Sequence, residues 1–477
     1  MKRFLTSILL SALCFIYSPV YFANNLPNLG DPSESALSPQ KEKQLGKYFM
    51  RSIRSQVPLV YDPIINDYIQ QLGYRLVTYS AEPSRLFHFF VIKDAGINAT
   101  TGPDAYIGVN TGLILTTQSE SELASVLAHE IAHVTQGHVS RFYAEQKQLQ
   151  LPALGAMIAA IAIGTRNPEA GMGAMSATTA GLYQHTLNFS RSFEQEADRV
   201  GMQILARAKF DPRSMPLFFE HLEQIGRLNS YNIPEFLQTH PLNESRLADA
   251  YNRSERYPHY KIKNSDDFQL IQAKIMASTT DNAPQLIEQF HAQMSKNPRD
   301  LKFHYAYILA LLKANKNNQA KQQMRNLLKR DPNNLILNLT YAKILQTTRD
   351  TSEAEKILAY LYQNNPDYYP VISQYADFLI SHHDAEKASI ILKKCYDSEK
   401  SNDDYLLLYS KALGESKQLT KAYQIRAEIY ERYDNISGAI AQLKMALRYT
   451  KNNAFEQQII QGKIDQLEQQ KKKHGSP

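Results

Sequence analysis

The sequence predicts a mainly α-helical protein, with a small β-sheet in its first half and a stack of paired helices in its second half. Three observations lead to this prediction. Apolar residues recur at helical spacing along most of the 477 residues. Two segments between residues 86 and 115 are instead rich in aromatic and β-branched residues, which is typical of strands. After residue 266, equivalent residues recur every 34 positions, and this period indicates an array of helical repeats.

The 34-residue period appears in four sets of residues. The sets are Tyr307, Tyr341, Tyr375 and Tyr409; Leu311, Leu345, Leu379 and Leu413; Ala320, Ala354, Ala388 and Ala422; and Pro298, Pro332 and Pro366. The Tyr and the Leu lie one turn apart on one helix, and the small Ala lets the second helix cross closely. The pattern resembles tetratricopeptide repeats. It predicts four units between residues 301 and 433, a degenerate unit at 267–300 before them, and a capping helix from Ser437.

The first half of the chain alternates between helical and strand patterns. Residues 40–79 show helical spacing that is interrupted by two prolines. The segment 86–92 predicts a strand, and 106–115 predicts another strand or two. Ser119 then provides the N-cap of a further helix, whose first turn carries carboxylates that suit the positive end of the helix dipole.

Composition and charge exclude several classes of protein. Hydrophobic residues make up 43% of the chain and charged residues 21%, as in an ordinary folded protein. The net charge of +6 is too small to favour a nucleic-acid partner. If Cys14 is removed with a signal peptide, Cys395 is the one remaining thiol, so no disulfide can form within the mature chain. Cys395 shares the 34-residue step with apolar residues, which predicts a small buried core residue.

The N-terminus has the layout of a secretory signal peptide. Lys2 and Arg3 precede an apolar run that extends to about residue 16, and a weak cleavage site follows. We therefore expect an exported protein with a signal peptide at 1–23 and a linker at 24–38. Because the −3 position, Tyr21, is bulky for cleavage, an uncleaved anchor remains the alternative.

Two further segments leave alternatives open. Residues 151–182 are rich in Gly, Ala and Met, and the apolar run at their start is too short to span a bilayer. They predict a buried helix or a pliable flap, and the alternative is a surface that touches membrane or an unfolded client. The basic tail at 471–477 predicts a solvated terminus, with contact to an anionic surface as the alternative.

The helix that follows Ser119 carries the pentad HEIAH. His129 and His133 are four residues apart, so both imidazoles project from one face and can bind one tetrahedral Zn²⁺. Glu130 can accept a proton from a water at that site and pass it to a leaving nitrogen. Two other interpretations are paired histidines on a solvated face and satisfied histidines in a core. The apolar flanks of the helix predict burial, which counts against the first of these.

The third metal ligand must come from elsewhere in the chain. Glu194, in the segment EQEAD of a later helix, is a candidate ligand, and Asp198 one turn later could orient a ligand imidazole. Glu196 points to another side of that helix and is the poorer candidate. In metzincins a third ligand histidine stands ten residues after the first, but this chain has Val139 there, and His138 is one position short. His138 is therefore predicted to be either a surface residue or one that supports the ligands.

HEIAH followed by E-x-x-A-D, together with a signal peptide and tetratricopeptide repeats, resembles the M48 peptidases and in particular their periplasmic members that carry such repeats. Further matching pieces are YIGVNTGLIL, SELASVLAHEIAHVTQGH, SRSFEQEADRVG and THPLNESR. The resemblance implies a zincin-type metallopeptidase domain with a small β-sheet at 39–258, followed by a tetratricopeptide-repeat α-solenoid at 266–470. It also implies location in the periplasm.

The resemblance also assigns roles to site residues. It implies one Zn²⁺ per chain and this set of residues: ligands His129, His133 and Glu194, and catalytic base Glu130. A His in the segment THPLNESR can approach the zinc in this family, which implies that His240 fills the open position as a restraining ligand. Arg246, six residues later, is grouped with His240 as a regulatory residue. A His before Pro is otherwise usually a turn residue. Family members often carry Asn-Ala-Phe-Ala-Leu-Pro-Gly-Gly where this chain reads NATTGPDAYIG from Asn98 to Gly108.

Two functions follow from these patterns. The first is an endopeptidase in which the strand around 106–115 pairs with an extended substrate. The resemblance implies that its clients are unfolded or stalled outer-membrane β-barrel proteins. The second is a chaperone or adaptor whose repeat array docks partners, among which the resemblance implies the outer-membrane β-barrel assembly machinery. A purely structural zinc has little support because such sites usually close four ligands, often with Cys.

Overall fold

The computed structural model describes residues 37–145, 158, 180–228, 234–258, 260, 264–399, 402–450 and 453–474. The predicted signal peptide, most of the predicted linker, most of the segment 151–182 and the end of the basic tail lie outside the described residues. Among the helices within these ranges, none has both the length and the apolar character needed to cross a bilayer.

The first part of the chain consists of helices around a three-stranded sheet. Its elements are α1 (Pro39–Gln56), α2 (Pro63–Val77), β1 (His88–Ile92), β2 (Ala99–Gly102), β3 (Tyr106–Asn110), α3 (Thr111–Thr116), α4 (Glu120–Thr135), α5 (His138–Glu145), α6 (Ala180–Arg207), α7 (Ser214–Leu228), α8 (Glu235–Thr239) and α9 (Glu244–Ser254). One of the two prolines that interrupt the helical pattern of the sequence lies at the start of a helix. Pro63 occupies the first turn of α2, and the Asp62 side chain caps this helix by accepting hydrogen bonds from two amides of the first turn.

The sheet has the strand order β1-β3-β2, with β1 parallel and β2 antiparallel to β3. Each of the three strands contributes buried side chains to the main core, among them Val91, Ala99 and Ile107. The predicted strand at 86–92 is confirmed, but the prediction for 106–115 is wrong in its second half, where α3 forms. Periodicity alone cannot separate a short buried strand from a short buried helix. The chain turns at Gly112, where a Cβ would lie 2.1 Å from the carbonyl oxygen of Ala95.

α4 is the helix predicted after Ser119, and it is buried along nearly its whole length. Ser119 Oγ accepts a hydrogen bond from the amide of Glu122, as the sequence predicts. All side chains from residue 121 to residue 134 are buried. α6 packs against α4 at Gly201, where a Cβ would lie 3.0 Å from the amide nitrogen of His129. A larger residue would push the helices apart, so Gly201 sets the distance between α6 and the HEIAH segment.

The second part of the chain is the predicted helical array. Its elements are α10 (Asp266–Ser278), α11 (Ala283–Lys296), α12 (Leu301–Lys313), α13 (Asn317–Leu328), α14 (Leu335–Thr347), α15 (Thr351–Asn364), α16 (Tyr369–Ser381), α17 (Ala385–Lys394), α18 (Tyr396–Glu399), α19 (Asp403–Glu415), α20 (Leu419–Arg432), α21 (Ile436–Tyr449) and α22 (Ala454–His474). The pairs α12–α13, α14–α15, α16–α17 and α19–α20 match the four predicted units. The prediction of one capping helix is wrong, because a pair closes the array. Asn453 begins its second helix by accepting a hydrogen bond from the amide of Glu456.

Each of the four units turns between its helices through a residue with left-handed backbone. These residues again follow the 34-residue step: Asn315, Arg349, His383 and Lys417, with φ of 58°, 64°, 64° and 63°. The next amide in each unit donates to the carbonyl of the repeated Leu, as Asp350 does to Leu345 at 2.8 Å. This bond is the one that ends a helix in a Schellman motif, which favours Gly at the left-handed position. No Gly occupies it in this chain.

Replacing Arg349 with Gly is expected to stabilise the array. The Arg349 side chain is exposed. A left-handed backbone costs an L-residue about 1–2 kcal/mol, and Gly avoids this cost. Gly also has more conformational entropy in the unfolded chain, which offsets part of the gain in stability. We predict a gain of about 0.5–1 kcal/mol, equivalent to a rise in Tm of roughly 2 °C. Thermal unfolding followed by circular dichroism measures it. Lys343→Gly, at an exposed position inside α14, is the control and should instead destabilise by about 1 kcal/mol. A lower Tm for Arg349→Gly would contradict the prediction.

The first part and the array share one apolar core. Buried residues of α2, the sheet and α4 form a contiguous cluster with those of the repeat units. Two ion pairs join α1 to the end of the array: Arg54 Nε lies 3.4 Å from Asp403 Oδ2 of the fourth unit, and Arg51 Nη1 lies 2.8 Å from Oδ2 of Asp434, which follows that unit. Cys395 belongs to this core and is 6% exposed, which confirms the predicted buried residue. The array is therefore packed against the first part rather than tethered to it.

Candidate active site and metal centre

The HEIAH and EQEAD segments meet inside the protein. His129 Nε2 lies 3.0 Å from His133 Nε2. The two carboxylate oxygens of Glu194 each lie 3.4 Å from one of these nitrogens. All three side chains are buried. Helical spacing places both imidazoles on one face of α4, and the packing of α6 at Gly201 brings Glu194 against that face.

A fourth donor comes from the turn after α8. His240 Nδ1 lies 3.0 Å from Glu194 Oε1 and 3.3 Å from His129 Nε2. Its ring stacks on Phe236 with the centroids 4.5 Å apart. One donor atom from each of His129, His133, Glu194 and His240 lies within 4.8 Å of all the others. A single cation can therefore contact all four side chains.

The chemistry of these donors fits a divalent metal ion. Two N–H groups cannot point at each other, so at least one of the facing Nε2 atoms of His129 and His133 presents a lone pair. Burying such lone pairs and a carboxylate without a cation is costly. Imidazoles combined with one carboxylate are a ligand set of zinc and related divalent metals. The residues present therefore fit a buried metal ion.

The electrostatics of the donor cluster favour positive charge. Burial alone would lower the pKa of His129, but the carboxylates of Asp198 and Glu194 outweigh burial and raise this pKa to about 10. Burial would raise the pKa of Glu194, but His240 and the imidazoles of α4 lower it well below its usual range. A proton and a metal ion therefore compete for the same place. Metal binding should release protons and weaken as the pH falls.

Asp198 and Arg246 support the cluster from behind. Asp198 Oδ1 lies 3.1 Å from His129 Nδ1. Arg246 donates to both oxygens of Asp198, at 2.7 Å from Nε and 2.8 Å from Nη2. Arg246 Nη1 also donates to Pro241 O at 2.7 Å. This buried guanidinium therefore ties the turn after α8 to α6.

His138 contacts one of the candidate ligands. The interpretation as a surface residue is wrong, since its exposed fraction is 4%. His138 Nδ1 lies 2.7 Å from His133 Nδ1, and His138 Nε2 lies 3.2 Å from Glu196 Oε2. Glu196 lies outside the donor cluster, on the side of α6 that the helical spacing predicts. Burial, with smaller contributions from His133 and Arg141, lowers the pKa of His138 to about 2, so its imidazole is neutral.

Glu130 is fully buried next to the donor cluster, and its two oxygens have different surroundings. The hydroxyl of Thr101 donates to Glu130 Oε2 at 2.7 Å. Glu130 Oε1 has no hydrogen-bond partner among the described residues and lies 3.5 Å from His240 Nε2. A buried unpaired carboxylate oxygen marks a place for a proton donor. Sequence reasoning missed Thr101, although the unusual segment that contains it, NATTGPDAYIG, was a signal.

The uncovered edge of the sheet lies beside Glu130. β3 is central and paired on both sides, so the prediction that it pairs with an extended substrate is wrong. The outer edge of β1 is covered, because Val60 N donates to Val91 O and Lys93 N donates to Pro58 O. Within the described ranges, β2 pairs with β3 alone. β2, which carries the hydroxyl that contacts Glu130, is therefore the edge strand that the described residues leave unpaired on one side.

Comparisons with known proteins agree with this geometry. Peptidase family M48 matches residues 63–254, the part of the chain that contains the donor cluster. The beta-barrel assembly-enhancing protease of Escherichia coli (strain K12) is 37% identical over 337 residues, which cover 69% of this chain and 68% of that protein. The putative beta-barrel assembly-enhancing protease of Vibrio cholerae serotype O1 is 42% identical over 252 residues, covering 53% of this chain and 52% of that protein.

A more distant relative carries the same kind of activity in its name. The mitochondrial metalloendopeptidase OMA1 of Danio rerio is 27% identical over 250 residues, covering 50% of this chain and 52% of that protein. The matches and the cluster of metal-binding side chains confirm the predicted metallopeptidase. With 37% identity over more than two thirds of both proteins, the chain belongs to peptidase family M48 and, within it, to the beta-barrel assembly-enhancing proteases.

Proposed function

We propose that this metallopeptidase is a periplasmic zinc endopeptidase that cleaves unfolded or stalled outer-membrane β-barrel proteins and assists their assembly. The names of the similar bacterial proteases support the role in β-barrel assembly. The predicted signal peptide supports export. The observation that carries the proposal is strand β2 beside Glu130, whose outer edge the described residues leave unpaired, because an unpaired β-strand is a natural partner for a strand edge.

His129, His133 and Glu194 hold one Zn²⁺ per chain in this proposal. When bound, the ion supplies a Lewis acid that polarises the scissile carbonyl. Asp198 orients the His129 ring, and Arg246 in turn fixes both oxygens of Asp198. These contacts reduce the freedom of the ligands before the ion arrives.

Glu130 acts as the general base. Its free oxygen is Oε1, because Thr101 holds Oε2. Oε1 takes a proton from the attacking water as the water oxygen bonds to the scissile carbonyl carbon. The same proton then passes to the amide nitrogen as the C–N bond breaks, which leaves a carboxyl group and an amine. One carboxylate thus serves both proton transfers.

The strand β2 selects clients by their backbone. An extended peptide that adds to β2 exchanges main-chain hydrogen bonds with it, and such bonds carry little information about side chains. β2 has four residues, so the paired region is short. We therefore expect the enzyme to recognise exposed, unpaired strands more than a particular sequence. Strands of a barrel that has not closed meet this requirement.

The array provides a second function, which is docking. We assign the peptidase domain to 39–258 and the tetratricopeptide-repeat domain to 266–470, with the assembly machinery of outer-membrane β-barrels as the docking partner. The array exposes apolar side chains, and Tyr360 and Ile390 are 63% and 57% exposed. The alternative function is an adaptor in which proteolysis is secondary. Because the array packs on the peptidase domain, a docked partner would be held at a fixed distance from the active site.

His240 acts as a restraining fourth ligand in this proposal. Its Nδ1 lies among the donor atoms, and its Nε2 lies 3.5 Å from the free oxygen of Glu130. The ring therefore obstructs both the remaining metal position and the approach to the base. Arg246 donates hydrogen bonds both to Pro241 O, next to His240, and to Asp198 of α6. Substrate must therefore displace a turn that these hydrogen bonds hold in place.

Replacing His240 with Ala is expected to activate cleavage. Removal of the ring opens the position that water and the scissile carbonyl need, and a gain of about tenfold corresponds to ~1.4 kcal/mol of restraint. The measurement is the rate at which purified full-length protein cleaves a β-barrel outer-membrane protein diluted from urea. We predict faster cleavage by the variant with zinc retained.

The same barrel protein, folded beforehand in detergent, is the substrate control, and neither form of the enzyme should cleave it. His291→Ala, which removes an exposed histidine of the array, is the matched variant and should behave as wild type. Unchanged or slower cleavage by His240→Ala would contradict the restraint. Equal cleavage of folded and unfolded barrel protein would contradict the proposed client class.

A further inference from the structure

A line of polar groups leads from His133 away from the donor cluster. His133 Nδ1 lies 2.7 Å from His138 Nδ1, and His138 Nε2 lies 3.2 Å from Glu196 Oε2. Arg141 Nη1 donates to the same Glu196 oxygen at 2.8 Å. We propose that His138 is a positioning residue that holds His133 in the tautomer and orientation that bind the metal. This proposal rests on the zinc site proposed above.

The two ends of this line fix the protons within it. His133 faces the donor cluster with Nε2, so a metal-binding His133 carries its proton on Nδ1, next to His138. His138 Nδ1 then accepts this hydrogen bond through its lone pair, and its own proton lies on Nε2. That N–H donates to Glu196, whose carboxylate can only accept. Both hydrogen bonds form together when His133 is in the metal-binding tautomer.

The ring of His138 is itself held firmly. It stacks on Phe193, with the centroids 4.1 Å apart and the planes at 8°. The guanidinium of Arg141 lies 4.2 Å from the centre of the same Phe193 ring. Gly137, with φ of 64°, allows the chain to turn directly from α4 into α5. His138 therefore has a fixed position from which to orient His133.

The EQEAD segment explains why an intermediate imidazole is needed. Glu194 and Asp198 are four residues apart on one face of α6, so Asp198 lies directly against His129. Glu196 is rotated by about 200° from Glu194 around the helix axis, so it does not face the donor cluster. His138 spans the gap between Glu196 and His133. Each ligand imidazole of α4 thus has its own acid on α6, one in direct contact and one through a second imidazole.

Zinc affinity of the full-length protein, measured by competition with a chelator, tests this proposal. His138→Phe keeps a flat ring on Phe193 but removes both hydrogen bonds. We expect it to bind zinc about 10–100-fold more weakly than wild type, as is typical when an outer-shell partner is lost. Circular dichroism of the metal-free variant should show that it remains folded. His138→Gln, whose amide can both accept and donate, should recover much of the affinity, which a residue that only fills space would not.

Glu196→Ala provides a second test at the partly exposed end of the line. Its side chain is 36% exposed, so its removal should leave the fold intact and weaken zinc binding several-fold. This variant decides the matter if His138→Phe does not fold. Wild-type zinc affinity in the folded variants would overturn the proposal for His138. Absence of zinc binding by the wild-type protein would overturn the proposed metal site itself, so the two failures are distinguishable.

Discussion

Replacing Glu130 with Gln is expected to abolish peptide cleavage without loss of metal or fold. An amide cannot take the proton from the attacking water, and loss of a general base typically lowers a rate by about 10²–10⁴. The change is nearly isosteric, and the hydroxyl of Thr101 can still donate to the amide oxygen. The measurement is the rate of cleavage of an unfolded β-barrel protein, with zinc per chain determined on the same sample.

A second buried glutamate of α4 serves as the control for Glu130→Gln. Glu122 is 6% exposed and accepts a hydrogen bond from the amide of Gln118, which an amide oxygen can also accept. Glu122→Gln should therefore keep wild-type activity. Cleavage by Glu130→Gln at a rate near that of wild type would contradict the assignment of Glu130 as the base.

The Glu130→Gln variant also separates the two proposed functions. In a strain that lacks this protein, the variant would supply the array and the metal site but no proteolysis. Full recovery of outer-membrane integrity would show that docking through the array carries the main function. Recovery by wild type alone would show that cleavage is required.

Patterns carried on single elements were readable from the sequence. The Ser119 cap and the apolar flanks predicted a buried α4, because capping and burial of one helix depend on neighbouring residues. The 34-residue step predicted the paired helices of the array for the same reason, since each unit repeats one local arrangement. Helical spacing also indicated that Glu194 and Asp198 share a face of α6, but the assignment of Glu194 as a ligand of the α4 imidazoles came from the resemblance to the M48 peptidases.

Contacts between distant elements were not readable. Strand order places β2, and not β3, at the edge beside Glu130, and the sequence of a strand does not state its neighbours. The hydroxyl of Thr101 reaches Glu130 only through that order. The role of His138 depends on a turn at Gly137 that directs its ring towards His133. The packing of α1 on the fourth repeat unit, through Arg54 and its neighbours, likewise has no sequence pattern.

Replacing Glu194 with Ala is expected to remove the metal and, with it, all cleavage. Glu194 is the one carboxylate in the donor cluster that the described residues form, and it lies within 3.4 Å of all three imidazoles. Its loss should weaken zinc binding well beyond the about 10–100-fold effect of an outer-shell partner. Glu244→Ala, at an exposed position of α9, is the matched control and should keep both zinc and activity.

Elemental analysis of the purified full-length protein, wild type and Glu194→Ala side by side, decides whether two imidazoles of α4 and one carboxylate of α6 hold a zinc ion. We predict about one zinc per wild-type chain and almost none in the variant. A wild-type protein without zinc, or a variant that keeps its full complement, would contradict the proposed metal centre.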